Sequence, residues 1–241
     1  MLLLSGSVIA DTPSSDEWQY GVVLYGWLPD LSGSLLYDVP TGLSGDGGVE
    51  IGDILDNLSM TFMGNFDARR GKFSMFADII YLKLSNDKKF PIDLDQINLE
   101  AKVSMDSDTW VATTAAGYNM VDSQKAQVDL IGGVRYLSAG FDTSVTILNK
   151  RTLSISENSW DGIVGVRGNY SFSDQWYMPF YADIGTGDSD LTWQAMAGVG
   201  YRFGWGSMKL VYRHLAYEQS GDKFVQELTV SGPAIGIAFS F

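Results

Sequence analysis

Few side chains in this 241-residue sequence can do acid–base, nucleophilic or metal chemistry. There is one histidine, His214, and no cysteine. Thiolate chemistry, disulfides and cysteine-ligated metals are therefore excluded. A single imidazole is a poor start for a zinc site, so the sequence implies no metal and no cofactor. His214 is a possible base for a lipid hydrolase or acyltransferase, if a Ser or Asp works with it. It stands in Tyr212-Arg213-His214-Leu215, where alternation places it with Leu210 and Tyr212. That is the outward face of a strand, and a structural histidine at a membrane interface is the simpler expectation. No catalytic residue is assigned. Asp46 among Gly45, Gly47 and Gly48, and Asp188 with Asp190, lack the spacing of a calcium loop and read as turns. Gly185 and Gly187 precede no helix, so they cradle no phosphate.

The larger group of reactive side chains is a set of charges: Asp67, Arg69, Asp78, Asp129, Arg135, Asp161, Arg167, Asp183, Arg202, Lys209 and Arg213. Each lies in a stretch where apolar residues alternate with polar or small ones, and each falls on the polar face. Such alternation marks a strand with two different environments. From Trp193 to Phe203 one face carries Trp193, Ala195, Ala197, Val199, Tyr201 and Phe203; the other carries Gln194, Met196, Gly198, Gly200 and Arg202. A lipid-facing charge at mid-bilayer costs about 2–4 kcal/mol for Arg or Lys, so the eleven charges belong in a lumen. There, mixed signs either pair into a network that stiffens the wall or line a polar path for small solutes.

The elements that must position them are strands. The pattern repeats over 18–28, 59–69, 72–85, 109–119, 125–138, 160–172, 176–184 and three further segments to the end of the chain. Most are near the nine to eleven residues that a tilted membrane strand needs. No apolar run is long enough for a transmembrane helix. Short turns such as Arg70-Gly71 alternate with long connections at 29–58, 86–106 and 140–158, and 92–105 alternates loosely, as a strand continuing above the membrane would. Within the first connection, 52–58 has helical spacing and reads either as a short helix, plugging the lumen or resting at the membrane interface, or as an ordinary loop turn. The fold class is all-β: an antiparallel, up-and-down transmembrane β-barrel of about ten strands, with eight to twelve compatible. Short turns would be periplasmic and long loops extracellular. Residues 1–10 resemble the end of a signal peptide, and 11–241 form one barrel domain.

The chain ends Gly236-Ile237-Ala238-Phe239-Ser240-Phe241. Gly236, Phe239 and Phe241 resemble the C-terminal signal read by the barrel-assembly machinery of Gram-negative bacteria; Ala234 departs from its usual polar residue. Trp27-Leu28-Pro29, Asp53 to Leu58, and Asp183-Ile184-Gly185-Thr186-Gly187-Asp188-Ser189-Asp190-Leu191-Thr192-Trp193-Gln194 look like a poorly characterised family of bacterial outer-membrane proteins, over most of the mature chain. The resemblance implies that fold and an outer-membrane location, and no activity.

The net charge of −13 opposes nucleic-acid binding. It suits acidic loops that meet lipopolysaccharide through divalent cations. Expected partners are outer-membrane lipid, lipopolysaccharide and, during biogenesis, the assembly machinery. Three functions stay open: a barrel that is structural or passes small hydrophilic solutes, a lipid-modifying enzyme using His214, and an adhesin or receptor acting through its long loops.

Overall fold

The computed structural model describes residues 17–35, 58–94, 97–146, 150–220 and 225–241. The candidate signal segment, Asp46 and its glycines, and 52–57 of the expected helix lie outside them. Leu58, the last residue of that expected helix, opens a strand.

Eleven strands follow in chain order: β1 (Gln19–Trp27), β2 (Asp30–Leu35), β3 (Leu58–Arg70), β4 (Phe73–Leu94), β5 (Ile97–Asp122), β6 (Ala126–Thr146), β7 (Lys150–Ser171), β8 (Trp176–Gly187), β9 (Leu191–Phe203), β10 (Gly206–Glu218) and β11 (Val225–Ser240). All neighbours are antiparallel. β1 pairs with β3 on one side and β11 on the other, which closes the sheet. β2 continues along β11 in the register of β1, from Trp27 opposite Ala234 to Asp30 opposite Ser231. The two are one stave interrupted at Leu28-Pro29, where proline has no N–H to donate. The result is a closed ten-strand antiparallel barrel, with no helix among the described residues.

Its exterior is suited to lipid. Val164, Ile184, Leu210 and Ile235 each expose more than half of their surface. In water each such side chain would forgo about 1.5–3 kcal/mol of burial; in a bilayer nothing is lost. Aromatic contacts ring the barrel at two heights. Near the short turns lie Phe73 against Tyr118, Tyr170 against Phe172, and Trp176 against Tyr201. Farther along lie Tyr81 against Trp110, Tyr136 against Trp160, and Trp193 against His214. The rings are eight residues apart on β5 (Tyr118 to Trp110) and ten on β7 (Tyr170 to Trp160). After strand tilt that matches an apolar band about 25 Å tall. This is a membrane-spanning β-barrel.

The strands differ greatly in length. β8, β9 and β10 have 12 or 13 residues, enough to cross; β4 to β7 have 21 to 26. Two of the connections expected at 86–106 and 140–158 are therefore corrected. The β4–β5 ladder runs to Leu94 opposite Ile97, and the β6–β7 ladder to Thr146 opposite Lys150. Backbone pairing continues where there is no longer a lipid face to impose alternation. At the opposite rim the turns are tight. Gly71, with a φ of 56°, closes the β3–β4 turn in a conformation most side chains avoid.

Candidate functional site

The lumen is the candidate site, and it is built in layers. Nearest the short turns, Arg202 donates to Ser171 Oγ at 3.2 Å and to the Asp174 carbonyl at 3.3 Å. Its guanidinium lies 4.3 Å over the Tyr177 ring, and Tyr177 OH donates to Ser207 Oγ at 3.0 Å.

One layer inward, Asp129 accepts from Arg69, from Ser74 Oγ at 2.9 Å and from Asn119 Nδ2 at 3.0 Å. Arg167 pairs with Asp67 and brings its Nε within 3.4 Å of Asp129. Lys209 lies at this level, opposite Gly200 and Gly236 in the ladders. The next layer holds two larger knots. Arg213 donates to Asp78 Oδ2 and Gln194 Oε1, both at 2.8 Å, and to Tyr25 OH at 2.9 Å. Tyr25 in turn donates to Asp78 Oδ1 at 2.9 Å. Arg135 is wholly buried; it pairs with Asp183 and donates to Thr192 Oγ1 at 3.0 Å and Thr113 Oγ1 at 3.3 Å. Tyr181 OH also donates to Asp183.

Above this polar floor, two residues farther along β1, β4, β5, β6 and β10, the lumen turns apolar. Trp27, Met63, Ile80, Val111, Leu137, Leu215, Tyr217 and Val230 pack into one cluster. On β7, directly opposite Arg135 in the β6–β7 ladder, Asp161 accepts from the Ser189 amide at 2.8 Å and from Ser159 Oγ at 3.3 Å.

All eleven charges read from the sequence thus point inward, and ten of them have a polar partner in the layers just described. Among the described residues Lys209 forms no ion pair within 4.0 Å. Of the uncharged partners, Gln194 stands on the polar face that alternation assigns, whereas Tyr25, Thr113, Asn119 and Thr192 are not singled out by the sequence. Their one sequence signal is that they share the inward parity of the charges. Arg135 and Asp183 also stand 48 residues apart, beyond any local spacing rule.

His214 faces outward. It stacks on Trp193, with ring centroids 4.3 Å apart, and its Nδ1 shares a hydrogen bond with Ser231 Oγ directly across the β10–β11 ladder. Ser231 was another missed partner. Of the C-terminal residues, Gly236 faces inward between Tyr25 and Lys209, while Phe239 and Phe241 lie exposed beside Trp205 and Tyr20. Among the described residues no cluster of His, Asp or Glu could hold a metal ion.

No family model and no curated protein matches this chain. Among solved structures it is similar to the translocator domain of the autotransporter NalP from Neisseria meningitidis, at 14% identity and TM-score 0.46, covering 96% of this chain and 90% of that one. It is also similar to the outer-membrane protease OmpT from Escherichia coli, at 7% identity and TM-score 0.48, covering 95% and 98%. A third is Ail, the attachment invasion locus protein of Yersinia pestis, at 7% identity and TM-score 0.39, covering 94% and 99%. These chains differ widely in activity; what they share with this one is the barrel.

Proposed function

We propose that this protein is a closed, non-conducting outer-membrane barrel, structural in the membrane and displaying the tall β4–β7 sheet at the surface. The supporting observation is the apolar layer across the lumen, in which Leu215 and Tyr217 are each only 1% exposed. A hydrated solute would have to pass through that layer after breaking the knots of Arg135 and Arg213 beneath it. Charges paired this tightly are walls rather than a path. On this reading the protein is not an enzyme, and its outer partners are lipopolysaccharide and whatever meets the sheet. Gly236, Phe239 and Phe241 are the handle for the assembly machinery. In planar bilayers the refolded protein is expected to give no discrete openings. Openings of uniform size would sink the proposal and favour passage of small solutes.

A second reading has one observation in its favour, the Ser231–His214 hydrogen bond on the lipid-facing wall, a nucleophile beside a base. Against it, no carboxylate orients the imidazole among the described residues, and two polar groups facing lipid gain from satisfying each other alone. His214→Ala is expected to leave phospholipid hydrolysis by the refolded protein at background, like the natural chain. Hydrolysis by the natural chain that vanishes in the variant would establish the enzyme.

A further inference from the structure

The layers leave a space unfilled. A cavity of about 410 Å³ lies between the short-turn rim and the Arg213 knot. Gln19, Gln127 and Asn169 line its mouth, Tyr181, Gln194 and Arg213 its inner end. It is open to the short-turn side and stopped beyond Arg213 by the apolar layer, a blind pocket in the barrel.

Its chemistry is unbalanced in one direction. Three carboxylates line it, and each is taken: Asp67 by Arg167, Asp78 by Arg213 and Asp129 by Arg69. Four cations line it, and the fourth, Lys209, has no described carboxylate within 4.0 Å. In a chain of net charge −13 this pocket therefore carries an excess positive charge. Hydrogen-bonding capacity is also unspent. Arg69 Nη1 has no acceptor. Gln19, Asn65, Gln127 and Asn169 surround the same space, and none of their side-chain amides is engaged by another described side chain or backbone group. The remaining wall holds the aromatic rings of Tyr25, Phe76 and Tyr181 beside the aliphatic Val23, Met196 and Val211. An ammonium and free amide donors suit a carboxylate, and the aromatic wall suits an apolar body of a few atoms. The volume falls within the range of small-molecule pockets, about 300–1,000 Å³.

We propose that this cavity binds a small organic monocarboxylate entering from the short-turn side, with the carboxylate on Lys209. The proposal stands apart from the closed-barrel reading, since a blind pocket can fill without conduction.

The test is calorimetric titration of the full chain, refolded in a zwitterionic detergent, with benzoate as the probe. Saturable binding is expected, weakened about tenfold or more in Lys209→Met and kept in Lys209→Arg; benzylamine, of similar shape and opposite charge, should not bind. If Lys209→Met does not fold, the Gln127→Leu/Asn169→Leu double variant takes its place, with binding again expected to weaken. No saturable uptake of benzoate by the natural chain overturns the proposal. So does equal uptake by the variant, or equal uptake of benzylamine. Displacement of benzoate by chloride at equal concentration would make this a simple anion site and overturn the organic ligand.

Discussion

Replacing Arg135 with Met is expected to destabilise the barrel by about 3–5 kcal/mol, the usual cost of leaving a buried charge without its partner. The side chains of Arg135 and Asp183 are both fully buried. Asp183 Oδ1 already has no donor, so removing Arg135 leaves this carboxylate with Tyr181 alone. Thr113 and Thr192 lose a donor as well, although Thr192 keeps its own bond to the Ala216 carbonyl. Denaturant unfolding in detergent reads the loss. Two comparisons separate this account from a general sensitivity to substitution. Arg202→Met, at the rim and half-exposed, should cost no more than about 1 kcal/mol. Arg135→Met combined with Asp183→Leu should recover much of the single variant's loss, because an apolar pair no longer buries an orphan charge. An unchanged midpoint in Arg135→Met would mean that water reaches Asp183 and that the knot does not bind the wall together.

Where the sequence was legible, one periodicity made it so. The face of almost every residue in β9 and β10 follows from period-two alternation, because lipid on one side and packed lumen on the other impose opposite chemistries. Lys209 and Arg213 could be placed inside, and His214 outside, on that ground alone. Height and partner were not legible. Arg167 meets Asp67 across 100 residues of sequence, and only the closed ring with its stagger decides which inward residues share a level. The apolar layer was hidden for the same reason. Val111, Leu137 and Leu215 break the rule that inward means polar, and nothing local distinguishes them from lipid-facing residues. The strands at 86–91 and 150–158 read as loops because, beyond the bilayer, their pattern answers to backbone pairing instead of lipid.

The second large effect is expected from a single methyl group. Gly132 and Gly133 are neighbours on β6 with opposite surroundings. A Cβ at Gly133 would sit 2.1 Å from the Thr114 carbonyl oxygen and 2.5 Å from Ala115 Cα, both backbone atoms of β5 that no rotamer change can clear. At Gly132 the nearest atom would be 3.9 Å away, on the lipid side. The inward glycine lets β6 lie close against β5 where the narrow barrel curves; a side chain there would have to push two paired strands apart. Gly133→Ala should thus cost at least the roughly 1–3 kcal/mol of core overpacking, or prevent refolding altogether. Gly132→Ala should be neutral or stabilising by about 0.4–1 kcal/mol, since the unfolded chain loses freedom and the folded wall loses nothing. The pair share a strand, a chemistry and nearly a depth, so only direction differs between them. Equal effects in refolding yield and unfolding midpoint would show that β6 does not pack on β5 as closely as this register requires, and the Arg135 knot, two residues farther along, would have to be redrawn with it.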